Sequence, residues 1–372
     1  MTYAHFIKKI VYLIKEFFKI LLITFVFILL IDFFFGYKIL NIIDPYIKET
    51  EFYDKRFRVF DDTFHHSFKK NINVKTVGIE ENNRFCTNYL GFKSNCNPKE
   101  KSFFKFGFLG DSFTEGIQLN YESTFVGLFE KELGEEIANM GVSSYSPKLH
   151  LAKLNFFLNK GVNFDHVILF LDISDYYDES FYKIDNKKIK IIHNKKDTRR
   201  ILLKKNFPFT NYYFYVAKKI KKNKKNKKKL VSSNQIIFDE SVQRKTSWLD
   251  KDVKKFKINN KTIFEIHNET KSYVNQIYNI LDKKNIKFSL AIYPWPQNLS
   301  NKKNNFFYTN EWKNFCKNKC NYFFDYFEIF NQHIAEKGYE RVYNKYYIQN
   351  DVHFNKIGNI LIADKIIETL LN

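Results

Sequence analysis

Apolar residues fall into two patterns along this chain. From Ile20 to Ile31 they run unbroken apart from Thr24, and Phe33, Phe34, Phe35 and Tyr37 carry the run toward membrane-spanning length. From Phe103 onward, short apolar runs of strand length alternate with segments of helical period. Phe104 to Leu109, Glu136 to Asn139, Val167 to Leu171, Lys287 to Tyr293 and Tyr322 to Phe324 read as strands. Ser123 to Leu133, Pro147 to Leu158, Glu265 to Lys284 and the terminal stretch to about Leu371 read as helices. The alternation predicts an α/β fold, a three-layer sandwich with a central parallel sheet. Functional residues of such a sheet lie outside the carboxyl ends of its strands.

The alternation is interrupted between about Tyr176 and Asn260. A hairpin from Phe181 to Ile192, turning at Asp185 and Asn186, is expected there. The run Lys218 to Lys229 holds nine lysines in twelve residues and no apolar period, the pattern of a solvated loop. Residues 38–102 carry few signals and read as a connecting region. Within it His65 and His66 are adjacent, which on a strand sends them to opposite sides, so they are not expected to bind metal.

The apolar run near the start decides the compartment. Lys8, Lys9, Lys15 and Lys19 precede it, which favours a cytoplasmic N-terminus. No Ala-x-Ala-like site follows, so an uncleaved signal anchor is expected over 19–37, with residues 1–18 cytoplasmic and Asp32 near the interface. A core helix leaves the basic flank unexplained. The remainder, with the α/β domain over 103–372, is then expected outside the cytoplasm, on a single-pass inner membrane protein facing the periplasm or cell exterior. Cys86 and Cys96 suit a local disulfide there; Cys316 and Cys320 suit either a second one or two free thiols. Neither spacing favours zinc.

Charge alters this little. Lys and Arg number 61 against 40 Asp and Glu, a formal +21. The chain is also rich in Asn, Ile, Phe and Tyr, the bias of an AT-rich coding sequence, and no nucleic-acid-binding motif accompanies the lysines. A nucleic-acid partner is not expected.

The candidate chemistry sits at two ends of the α/β region. Gly110-Asp111-Ser112-Phe113-Thr114-Glu115-Gly116 joins a strand to a helix and presents the Ser112 hydroxyl at the sheet edge beside free backbone amides. Asp351-Val352-His353-Phe354-Asn355 and then Gly358 open the last helix. A serine needs a base of pKa near 7, and that base needs a carboxylate to hold its tautomer; His353 and Asp351 supply both. With these two motifs, residues 84–372 resemble the SGNH/GDSL hydrolases, whose fold is flavodoxin-like. The resemblance implies Ser112 as nucleophile, His353 as base and Asp351 as its partner, with Asn350 standing where the family places the aspartate.

It also implies an oxyanion site. Asn139-Met140-Gly141-Val142-Ser143-Ser144-Tyr145 resembles the family's second block, with Ser144 at its glycine, so the amides of Ser112 and Ser144 are the expected donors. Asp172-Ile173-Ser174-Asp175 stands for Gly-x-Asn-Asp, making Ser174 a candidate third donor. Asp172, Asp175, Asp178 and Glu179 otherwise read as a solvated acidic loop whose spacing does not match a calcium loop. Trp295, in Tyr293-Pro294-Trp295-Pro296, reads either as a sugar-stacking ring or as a tryptophan packed under a turn. Membrane-anchored relatives imply an esterase or O-acyltransferase for ester groups, O-acetyl among them, on cell-surface polysaccharide. No cofactor is implied, and a membrane-bound acyltransferase would be a fitting partner. The alternative is a degenerate fold that binds or scaffolds glycan.

Overall fold

The computed structural model describes residues 3–43, 56–76, 78–80, 82–185, 188–191, 206–214, 216–217, 248, 250–300 and 306–371. The chain divides into two compact units, residues 1–54 with 193–235 and residues 55–192 with 236–372.

Phenylalanine builds the sheet of the larger unit. Its strands are β1 (Phe103–Leu109), β2 (Ala138–Asn139), β3 (Asn163–Leu171), β4 (Lys287–Ile292) and β5 (Phe323–Asp325). They lie in the order β2-β1-β3-β4-β5, every neighbouring pair parallel. This is the flavodoxin-type doubly wound order, whose crevice opens between β1 and β3. Phe104, Phe106, Phe108, Phe170 and Phe288 are buried within it, each worth about 1.5–3 kcal/mol relative to exposure. Such runs show no alternation because helices cover both faces. Phe125–Leu133 packs on Lys356–Leu370, with Asn359 Oδ1 accepting from the Phe125 amide at 2.9 Å, and Pro147–Asn159 packs on Ile263–Asp282.

Several boundaries differ from the sequence reading, each for a local reason. The Ile263–Asp282 helix starts before Glu265 because Thr262 and Glu265 form a capping box. Ser123 closes a 3-10 turn, and the following helix begins after Thr124, whose hydroxyl accepts from the Gly127 amide at 3.1 Å. β3 reaches back to Asn163 because β1 pairs with it from Phe103 onward. β2 is only two residues long.

Residues 58–102 are not a bare connection. Arg58–Asp61 pairs with His65–Phe68, and Asn73–Lys75 with Arg84–Cys86. Phe57, Phe64, Phe68 and Phe85 bury themselves against Val142, Tyr145 and Leu149, so this segment belongs to the α/β unit. Disulfides join Cys86 to Cys96 and Cys316 to Cys320. The expected hairpin forms from Tyr182–Asp185 and Lys188–Ile191. Lys218 to Lys229 lies outside the described residues, whereas residues 208–214, within the interruption, are helical.

In the smaller unit, Tyr3–Ile43 is one helix, longer at both ends than the 19–37 span expected. Its segment Lys9–Gly36, 28 residues, is long and apolar enough to cross a membrane. Asp32, the one carboxylate inside that segment's apolar core, is buried and accepts from the Phe209 and Thr210 amides at 2.8 and 2.7 Å.

Candidate active site

Ser112 is placed by a turn that only glycine permits. A Cβ at Gly110 would come within 2.0 Å of Thr114 Oγ1. Asp111 then caps the short helix Ser112–Glu115, its Oδ1 accepting from the Phe113 amide at 3.0 Å, and Gly116 ends it at φ 66°. The Ser112 amide, at the first helical position, has no partner within the helix.

The last motif arrives opposite. Ile348 N donates to His353 O at 2.9 Å and Asp351 N to Ile348 O at 3.0 Å, closing a tight loop in which Asn350 is exposed at φ 60°. That turn leaves the carboxylate of Asp351, rather than residue 350, facing the imidazole. His353 Nε2 lies 2.8 Å from Ser112 Oγ, and Nδ1 lies 2.5 Å from Asp351 Oδ1. The carboxylate accepts from Nδ1–H, which leaves Nε2 able to take the serine proton. Phe113 packs beside the His353 ring at 4.8 Å. Burial pushes the Asp351 carboxyl up. The adjacent His353, with the His353 amide and Gln118 Nε2 (2.9 Å), outweighs this and holds it well below the usual carboxylate range.

Behind the serine lies a cluster that corrects the solvated-loop reading. Asp172, Asp175, Asp178 and Glu179 are all buried, because β3 runs straight into the interior helix Ser174–Glu179. Asp172 accepts from Ser174 N at 2.6 Å and from Trp295 Nε1 at 2.7 Å; Asp175 accepts from Asp172 N at 2.7 Å. Tyr293 OH donates to Asp111 Oδ1 at 2.9 Å. Burial, reinforced by their mutual repulsion, raises the carboxyls of Asp111 and Asp175, and burial raises that of Asp172. Glu179 pairs with Lys148 at 2.8 Å.

The same contacts decide between the two readings of Trp295 and correct the one for Ser174. Trp295 is 4% exposed with its indole N–H spent on Asp172, so it packs under the turn and offers no ring face to a sugar. Ser174 directs both its amide and its hydroxyl to Asp172, which makes it a local cap and not a third oxyanion donor.

The loop after β2 is fastened residue by residue. Met140 N donates to Phe108 O, Gly141 N to Asn139 Oδ1, Val142 N to Gly110 O, Ser143 N to Glu115 Oε2 and Tyr145 N to Val142 O. The Ser144 amide alone among these has no acceptor among the described residues. Ser144 holds φ 59°, left-handed backbone that costs a non-glycine residue roughly 1–3 kcal/mol. Its position at the family's glycine is thus glycine-like in conformation.

Four residues near the site escaped sequence reasoning. Glu115, in the Ser112 motif, accepts from Ser143 N and Oγ and pairs with buried Arg58 at 2.7 Å. Burial raises its carboxyl, but the Arg58 charge, Ser143 and Lys93 hold it low. His66 Nε2 contacts Ser143 O at 2.8 Å, and Gln118 contacts Asp351. The two histidines do not alternate as expected: His65 takes φ 68°, which breaks the strand pleat and brings the Nδ1 atoms to 2.8 Å. Among the described residues, no group of three or more His, Cys, Asp or Glu could hold a metal ion. The arrangement combines a hydroxyl, a base with its carboxylate and two amides without acceptors among the described residues, the parts needed for attack on an acyl carbonyl.

No family model and no curated protein matches this sequence. In structure, seventeen solved chains match. One is a candidate lipolytic protein of the G-D-S-L family from Desulfitobacterium hafniense DCB-2. It is 11% identical, matched over 73% of this chain and 100% of its own, with a TM-score of 0.35. A likeness that distant adds nothing to what the strand order already shows.

Proposed function

We propose that this chain is a serine esterase or O-acyltransferase of the SGNH/GDSL type. Ser112 is the nucleophile, His353 the general base and acid, and Asp351 the group that orients and stabilises the imidazolium. The contacts of 2.8 Å and 2.5 Å along Ser112, His353 and Asp351 carry this reading, since motifs 239 or more positions apart have no structural reason to meet in that tautomer-fixing order. The oxyanion rests on the amides of Ser112 and Ser144. With Lys9–Gly36 as a membrane anchor and both disulfides intact, the α/β unit faces the periplasm or cell exterior. Ester groups of cell-surface polysaccharide, O-acetyl first, are its substrate class.

The engaged Ser174 favours one rival, a degenerate glycan-binding protein, because a donor common to the family is missing. Detergent-solubilised chain incubated with acetylated polysaccharide separates the two. Acetate release, or acetyl transfer to an added glycan, that disappears in Ser112→Ala supports the enzyme. Saturable glycan binding with neither, unchanged by Ser112→Ala, supports the rival.

A further inference from the structure

The peptide joining Ser143 to Ser144 is gripped on its carbonyl side. His66 Nε2 lies 2.8 Å from Ser143 O. A carbonyl oxygen only accepts, so Nε2 carries the hydrogen, and Nδ1 of the neutral ring accepts from His65 Nδ1. Burial first, then the neighbouring His65, pushes the His66 imidazole well below its ordinary value, which keeps the ring neutral. Tyr182 OH donates at 2.9 Å to Ser144 O, the carbonyl of the following peptide, and so holds Ser144 from its other side. Ser143 N and Oγ reach Glu115 Oε2 at 2.7 and 2.5 Å, and Arg58 holds Glu115.

Peptide geometry gives these contacts a consequence. The peptide is trans, so its N–H points opposite to its C=O. Turning Ser143 O toward His66 therefore turns the Ser144 N–H away from it, and this is the amide left without an acceptor. A left-handed Ser144 is strained on its own, so the loop needs an external hold that a glycine would not.

We propose that His66, assisted by Tyr182, is a positioning residue that locks the Ser143–Ser144 peptide with its N–H turned to the oxyanion formed at Ser112. The inference rests on the esterase reading above. In that reaction Ser112 Oγ bonds to the acyl carbon and its proton passes to His353. The carbonyl π pair moves onto oxygen, which the amides of Ser112 and Ser144 meet. Collapse breaks the bond to the alcohol oxygen, which takes the proton from His353. A flipped peptide would put the Ser143 carbonyl dipole where the amide should be and oppose that charge.

The test uses the full chain in detergent, comparing wild type with His66→Ala, His66→Gln and Tyr182→Phe. Turnover of p-nitrophenyl acetate is measured with inhibition by phenylboronic acid, whose tetrahedral serine adduct mimics the oxyanion. Removing one oxyanion donor costs about 10²–10³ in kcat. Loosening its hold in His66→Ala should cost about tenfold or more in kcat, with KM within about twofold and boronate affinity reduced in step. His66→Gln retains an N–H for the Ser143 carbonyl and should recover most of the loss; Tyr182→Phe should fall between. Folded His66→Ala with kcat and boronate affinity within about twofold of wild type overturns the clamp. If His66→Ala does not fold, the same result in folded His66→Phe, which fills the space without a donor, does so. Wild type without turnover or fluorophosphonate labelling overturns the esterase reading, and the clamp with it.

Discussion

Gln118 sits in left-handed backbone at φ 66°, fixed where the Asn83 side chain and the Ile79 amide both donate to its carbonyl. From there its side chain supplies the Asp351 Oδ2 contact. A hydrogen bond to a charged group is worth about 1.5–3 kcal/mol, so Gln118→Leu, which leaves that oxygen unmet, should lower kcat by about tenfold. It should also raise the Asp351 carboxyl. A depressed carboxyl contributes stability above the ordinary carboxylate range and loses it as pH falls through the folded value. In both chains that loss begins as pH falls through the ordinary carboxylate range; in Gln118→Leu it should end at higher pH and be smaller in total, read by urea unfolding from about pH 6 down to about pH 2. An unchanged rate and acid limb would remove Gln118 from the account. Serine, histidine and aspartate were legible because chemistry restricts those roles to few residue types. Gln118 and His66 were not, because their roles come from backbone angles that the sequence does not spell out.

The 58–68 hairpin and the segment closed by Cys86–Cys96 have the same standing among elements. Their sequence shows neither sheet period nor helix period over useful length, which is why they read as a connection. Their order comes instead from tertiary burial of Phe57, Phe68 and Phe85 and from the cystine. Lys93, inside the bridged segment, donates to Gly116 O and Leu119 O at 2.7 and 3.1 Å, and so holds the turn that carries Gln118. Closing a loop of this size contributes about 2–3 kcal/mol. Cys86→Ala with Cys96→Ala should lower stability by about that amount and lower esterase rate as the Gln118 turn loosens. Full rate at temperatures well below a lowered melting point would separate the bridge from the site. The sheet strands, by contrast, were located from the sequence, since buried parallel strands are continuous apolar runs; the misplaced ends, four residues at β3 and two at β2, lie at pairings set by partners elsewhere.

At the scale of the whole molecule, the proposed function requires that a strand-turn-helix at one end and an Asp-x-His loop at the other meet to activate one serine. The doubly wound order brings this about, since β1 and β3 flank the crevice and the last helix packs on the helix after Ser112. The direct measurement is fluorophosphonate labelling of the full chain, with the modified residue mapped by mass spectrometry. Labelling at Ser112 that is abolished in Ser112→Ala and reduced about a hundredfold or more in His353→Ala is the result predicted. Well-folded wild-type chain that takes no label at Ser112, or takes it equally without His353, would contradict it.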